Sequence, residues 1–147
     1  MKFHNFYYSY IIVLSLFFCI FAQNDGDRIN GKWFTHKCQA AFEFYRVGQE
    51  YKAKLIAIEK PNLTDDKNPV DSLRGRKLDG AITIYNLIYD SKTKQWHNGK
   101  VYNPEDGRTY SCYCSFTENG DLMFRGYIGV TALGKTQNWT RKSCKSN

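Results

Sequence analysis

Gly99-Lys100-Val101-Tyr102-Asn103-Pro104-Glu105-Asp106-Gly107-Arg108-Thr109-Tyr110 is the stretch whose reading decides the fold. Two tyrosine-bearing runs of strand formers flank a turn in which Pro104 presets one dihedral and Gly107 permits positive φ, so the chain reverses there. The pattern continues downstream. Arg108 to Thr117 alternates as a strand, and Glu118-Asn119-Gly120 supplies the Asn-Gly pair suited to a twisted hairpin turn. Leu122 to Val130 then carries Arg125-Gly126-Tyr127-Ile128-Gly129, and Leu133-Gly134 leads into a last strand ending at Arg141.

Upstream the same period-two signal holds. Gln95 to Tyr102 and Ala81 to Tyr89 are joined by the turn Ser91-Lys92-Thr93. Before them, Gly31 to His36, Ala40 to Val47 and Tyr51 to Lys60 read as three further strands, with Gly48 breaking the second from the third. In the third, Lys52 and Lys54 alternate with Tyr51, Ala53, Leu55 and Ala57. Eight consecutive strands with almost no helical signal and no internal repeat predict an all-β, eight-stranded antiparallel up-and-down barrel, a closure that leaves no edge strand. Alternation points Phe42, Phe44, Tyr51, Leu55, Tyr110, Phe116 and Phe124 inward, enough aromatic volume to fill at least half the lumen. One long loop or lid, residues 61–78, separates strands three and four, where Pro61, Asp65, Asp66, Asn68, Pro69 and Gly75 break the periodicity. Long loops on a rigid scaffold often carry function.

The amino terminus reads as a targeting segment. Lys2 and His4 form a weak basic region, and an apolar run from Tyr10 to Ala22 ends before the polar Gln23-Asn24-Asp25-Gly26-Asp27. It is short for a bilayer span, so residues 1–22 are expected to be a secretory signal peptide cut after Ala22, leaving residues 23–147 as one barrel domain without a stable membrane span. An uncleaved anchor is the rival reading, because Phe6, Tyr7 and Tyr8 lengthen the apolar stretch. A lipoprotein anchor at Cys19 is disfavoured by the bulky Phe18 before it.

Cys19 leaves with the leader, and Cys38, Cys112, Cys114 and Cys144 remain. An even count in an exported chain reads as two disulfides, each worth ~2–4 kcal/mol, with three connectivities open. Cys112 and Cys114 lie two apart on one strand and face the same way, so each is expected to pair with Cys38 or Cys144. A metal site is not expected: Cys112-x-Cys114 lacks the spacer of a zinc knuckle, and only His36 and His97 accompany the cysteines. No cofactor motif is present either. Asn62-Leu63-Thr64 and Asn138-Trp139-Thr140 are glycosylation acceptors by pattern, Asn62 in the lid being the better placed.

The formal net charge of +7 falls to +6 without Lys2, which allows an anionic extracellular partner. Export and the lack of a recognition helix oppose nucleic acid. Most basic residues are scattered, and the compact group Arg74-Gly75-Arg76-Lys77 sits in the lid, where charge serves solubility.

The termini of the strand pattern carry a resemblance. Gly31-Lys32-Trp33 opens strand one and Trp139-Thr140-Arg141 closes strand eight, an order similar to the calycin arrangement in which a basic side chain of the last strand covers an early tryptophan. A guanidinium over an indole is attractive by roughly 0.5–2 kcal/mol, so Trp33 and Arg141 are expected to close one barrel end. The order of further segments resembles the family named domain of unknown function 2147. These are Asp66-Lys67-Asn68-Pro69, Leu73 to Gly80, Trp96 with Gly99 to Pro104, Gly107-Arg108-Thr109-Tyr110, Arg125 to Gly129, and Gly134 to Arg141. The likeness spans Gly31 to Arg141 and implies small exported calycin-like barrels with no established catalytic or ligand residues. The cysteines are an addition to that pattern.

Catalysis finds no support in the residues. The two histidines sit in alternating strands, and Asp65-Asp66 and Glu105-Asp106 read as solvated turn acids. No nucleophile elbow or phosphate-cradling loop occurs. The residues therefore favour a secreted, non-enzymatic binding protein taking a small apolar or aromatic molecule at the barrel mouth. Tyr85, Trp96 and Tyr102 are the candidate mouth residues, each pairing a large apolar face with a polar edge. Lys100, Arg125 and Tyr127 join them as residues that exceed what a bare hairpin needs. The alternative is an extracellular interaction or structural protein with a side-chain-filled barrel and a basic outer face.

Overall fold

The computed structural model describes residues 24–58, 60 and 62–143, with residues 57 and 58 described by backbone alone. The expected leader at 1–22 and Cys144 lie outside the described residues. Eight strands form one antiparallel sheet in chain order: β1 (Gly31–Phe34), β2 (Ala40–Val47), β3 (Glu50–Ile58), β4 (Ile82–Asp90), β5 (Gln95–Asn103), β6 (Arg108–Phe116), β7 (Leu122–Tyr127) and β8 (Gly134–Trp139). The all-β up-and-down order follows from the alternation. Outward positions pair by charge, as Glu43 and Lys54 do at 2.9 Å across β2 and β3. Inward positions pack by ring: Trp139 stacks on Phe124 at 4.3 Å and on Phe42 at 4.9 Å, and Trp96 meets Phe116 edge-on at 5.2 Å.

Phe44, Tyr51, Leu55 and Phe124 are buried, and Phe42 and Phe116 pack against the core. Tyr110 is half-buried, and its hydroxyl instead donates to Asp106 in the exposed β5–β6 turn. Asn86 and Asn98, both at positive φ, lie where the β3–β4 and β5–β6 registers shift. A second shift in the β3–β4 pairing leaves the consecutive residues Thr83 and Ile84 both buried.

The strand ends depart from the expected spans. Thr35 ends β1 early because its hydroxyl donates to the Ala40 carbonyl at 3.1 Å and accepts the Ala40 N–H at 2.9 Å. His36 therefore lies in a 3-10 turn, His36–Cys38, rather than in a strand. The edge-free barrel also needs correcting. β1 and the end of β8 meet at one pair, Phe34 and Thr140, through main-chain bonds of 2.8 and 3.0 Å. The sheet is thus curled with a nearly open seam, along which Lys135, Thr136, Gln137 and Asn138 are exposed. Their polarity blunts the free edge.

One end is sealed by a 3-10 turn, Asp25–Ile29, that precedes β1. Ile29 is fully buried and its carbonyl accepts the Trp33 indole N–H at 2.7 Å. Tyr51 donates to Asp27 and Tyr89 to Asp25, each at 2.8 Å. Gly26 is required between these rings: a Cβ there would stand 2.6 Å from the Tyr51 oxygen and 2.7 Å from the Tyr89 ring. Hydrogen bonds from Lys94 and Tyr89 lower the Asp25 pKa to about 2. Burial, then the hydrogen bond to Asp27, raises that of Tyr51. Arg141 covers the seal from the chain's far end, its guanidinium 4.1 Å from the Trp33 ring centroid and bonded to the carbonyls of Arg28 and Asn30 at 2.6 and 2.9 Å.

The expected pairing of Cys112 and Cys114 with Cys38 or Cys144 is corrected. Both thiols are free and fully buried among core side chains of β6, whereas Cys38 is exposed in the 36–38 turn and has its bonding partner outside the described residues. Burial pushes the Cys112 thiol up to about 12 and Cys114 well above its ordinary value, so neither is a thiolate near neutral pH.

Candidate functional site

Opposite the seal, the barrel opens into a cavity of about 840 Å³. Phe42 on β2, Leu55 on β3 and Trp139 on β8 line it together with Thr83 of β4. Its rim comes from the β1–β2 turn, the β3–β4 connection, the β5–β6 turn and the exposed part of β8.

The lid, expected as one long loop, has structure of its own. Thr64 and Lys77 form an isolated antiparallel bridge, with Asp65 N–H bonded to the Arg76 carbonyl at 2.9 Å and Leu78 N–H to the Leu63 carbonyl at 3.1 Å. Between these arms the chain makes a short 3-10 turn, Asp71–Leu73. Asp65 fixes the lid to the barrel. It is fully buried, not a solvated turn acid, and its carboxylate accepts from Tyr102 of β5, from Asn68 at 2.8 Å and from Arg76 at 3.0 Å. Burial acts to raise its pKa, but the hydrogen bonds from Tyr102, Asn68 and Arg76 together outweigh it and hold the carboxyl below its ordinary value. Burial, then the same bond, raises Tyr102 to about 12. Lys67 adds a second tie by donating to the Glu105 carbonyl at 2.5 Å. Gly107 completes the fit, since a Cβ there would fall 2.1 Å from the Lys67 carbonyl oxygen.

The candidate residues separate into different places. Tyr102 borders the cavity and is buried under the lid. Trp96 does not reach the mouth: it is 1% exposed near the opposite end, beside a crevice of about 210 Å³ against Tyr89 and Phe116. Its direction was open in the sequence because strand five mixes polar and apolar residues on both faces. Tyr85 is half-buried and pairs with Lys100, which is exposed and donates to Ser111 at 3.1 Å. Arg125 is occupied by the β7–β8 turn, donating to Thr131 and Ala132 carbonyls and to the Thr136 hydroxyl. Tyr127 pairs with Ser111 across β6 and β7, and its ring lies 6.3 Å from that of Tyr113. None of Tyr85, Lys100, Arg125 and Tyr127 borders the cavity. Asn62 is exposed in the lid, and Asn138 is exposed on β8 opposite Met123. Among the described residues, no three His, Cys, Asp or Glu side chains converge as metal ligands, and no helix is long and apolar enough to cross a membrane.

Sequence reasoning missed Asp65, Asn68 and Arg76 as one cluster, and Thr83 as a cavity residue. Asp65, Asn68 and Pro69 are turn-forming residue types, but nothing local marks Asp65 as buried. Nothing local signals Thr83, because a register shift turns it inward.

The fold is shared with protein HP1028 from the human pathogen Helicobacter pylori, described as belonging to the lipocalin family. The two are 28% identical, with a TM-score of 0.70 over 78% of this chain and 83% of that one. Comparison with curated proteins finds no match. From residue 31 to 141, β1 through the Arg141 that covers Trp33, the sequence matches the model for an uncharacterized protein conserved in bacteria, DUF2147, and the chain belongs to that family.

Proposed function

We propose that this is a secreted, non-enzymatic binding protein that takes one small apolar or aromatic molecule into the open end of its barrel. The cavity of about 840 Å³ carries this reading, since it has the size of small-molecule sites and sets Phe42, Leu55 and Trp139 on its inner wall. The likeness to a protein described as a lipocalin supports it. Secretion rests on the apolar leader, and a cut after Ala22 would leave the Asp25–Ile29 seal whole. A Cys38–Cys144 disulfide belongs to the same proposal, because Cys112 and Cys114 are free. N-terminal sequencing of the secreted protein is expected to start at Gln23.

Native mass spectrometry after secretion from the natural host tests the binding role. The expected result is a polypeptide carrying an added mass of small-molecule size. A bare polypeptide that also binds no apolar probe overturns the reading. One observation favours the second reading, an extracellular interaction protein: Ile128, Val130 and Leu133 are exposed together in the β7–β8 turn. A macromolecular adduct in the same spectrum would select it.

A further inference from the structure

Three large apolar side chains stand in solvent close together: Ile128, Val130 and Leu133 are 56%, 60% and 71% exposed in the β7–β8 turn. The turn holds them there. Arg125 donates to the Thr131 carbonyl at 2.9 and 2.6 Å and to the Thr136 hydroxyl at 2.7 Å. The Leu133 N–H bonds the Val130 carbonyl at 3.0 Å, and Gly129 takes a φ of 68°. Apolar side chains kept outward by an internally bonded turn are unfavourable in water, so they point to a surface that removes them from it.

The charges around the turn share one sign. Residues 126–134 carry no charge, Arg125 and Lys135 flank them, and no Asp or Glu follows Asp121 in the chain. Arg125 lies opposite Thr136 and Lys135 opposite Gly126, so the two cations leave the sheet on its two sides. Across the seam the His36–Cys38 turn lies against β8 and adds Lys37, exposed and without an ion pair among the described residues. Lys135 also borders the cavity, which sets the β7–β8 turn at the open end. The exposed carboxylates of that end, Asp66, Asp71, Asp79, Glu105 and Asp106, belong instead to the lid and the β5–β6 turn.

Size and shape select the partner. Three side chains on a protruding turn offer on the order of a few hundred Å², against ~800 Å² per partner in a stable protein interface. A bilayer accepts a convex apolar tip without a matching groove, and anionic head groups answer the flanking cations. Below the turn, Tyr127 and Tyr113 are half-buried with ring centroids 6.3 Å apart, each with the apolar body and polar edge that suit the head-group level.

We infer that the β7–β8 turn docks the protein on an anionic lipid surface. Ile128, Val130 and Leu133 enter the bilayer interface, the positive field of Arg125, Lys135 and Lys37 holds the head groups, and the mouth of the barrel faces the membrane. The surface gives the exposed turn a partner, goes beyond the small-molecule function proposed above and requires no filled cavity.

Co-sedimentation of the whole secreted chain with vesicles tests this docking. Vesicles of phosphatidylcholine and phosphatidylglycerol in equal parts are expected to bind about tenfold or more tightly than phosphatidylcholine alone, an advantage that high salt removes. The Lys37→Ala, Lys135→Ala double variant should lose about tenfold on the anionic vesicles and nothing on the neutral ones. The triple variant Ile128→Ser, Val130→Ser, Leu133→Ser should weaken binding to both by about tenfold or more while its urea unfolding stays near that of the native chain. Because Trp33, Trp96 and Trp139 are buried, a Leu133→Trp chain reports on the turn itself, and brominated acyl chains should quench the added indole. Equal binding to the two vesicles, binding unchanged in the triple variant, or an indole that stays unquenched while the protein sediments overturns the inference. So does binding to neither vesicle, and a self-associated chain that the triple variant returns to monomer would assign the turn to a second copy. Each of these failures leaves the small-molecule function, which native mass spectrometry tests, standing.

Discussion

The sealed and open ends of this barrel are made from the same alternating strands but are covered by different means. At the sealed end a five-residue turn next to β1 places Ile29 under Trp33 and ties Asp25 and Asp27 to tyrosines, with Arg141 laid over the indole. At the open end the cover is a long connection whose buried anchor is one carboxylate, Asp65. Apolar burial holds the first end through many small contacts that are lost together. A polar node holds the second, and its loss releases one segment without emptying the core. The binding function proposed above needs this asymmetry, with one end held by the core and the other separable from it.

Removing the centre of the sealed end should have the largest effect. Trp33→Ala is expected to cost about 3–5 kcal/mol in urea unfolding, as for other large aromatic truncations. A loss under about 1 kcal/mol would show that the core lies elsewhere.

Asp65→Ala comes next, at about 1–3 kcal/mol, because it strips the buried Tyr102 hydroxyl and Asn68 amide of their acceptor. Hydrogen exchange should then accelerate at Asp65 and Leu78 in the lid while the Trp33 and Phe44 amides keep their protection. Equal acceleration at both ends would erase the contrast. Acidification should act on the same node. The folded pKa of Asp65 lies below its ordinary 3.8, so its contribution is complete above that value and declines as the pH falls beneath it toward the folded pKa. Lid exchange measured across that range should rise in the native chain and be flat in Asp65→Ala.

Arg141→Ala should cost about 0.5–2 kcal/mol, the worth of a guanidinium over an indole, and should loosen the Asp25–Ile29 turn without changing the lid. Leu133→Ser is expected to change stability by less than about 0.5 kcal/mol, since the side chain is 71% exposed in the β7–β8 turn. A larger loss there would mean that the open end is held by more than its polar node.

Most of the fold was legible because period-two alternation and turn chemistry are local signals. β2 was readable to the residue, from the run of Ala40 to Val47 and the Gly48 that follows it. The Trp33 and Arg141 pair was readable from its positions at the two ends of the strand order. The site was less so. Tyr102 carried an aromatic face and a polar edge, but the same description fitted Trp96, which stands near the start of β5 and so at the opposite end of the barrel. Asp65 looked like a loop acid because its donors stand 3, 11 and 37 residues away.

The sequence by itself determined the number of strands, their order and the turns between them, since each depends on residues within a few positions of one another. Tertiary structure decided which end is sealed, that the seam closes at one pair, that Cys112 and Cys114 remain thiols, and that Thr83 faces the cavity. Those outcomes depend on register shifts and on contacts between distant segments, where one extra residue in a bulge reverses the side on which every following side chain falls.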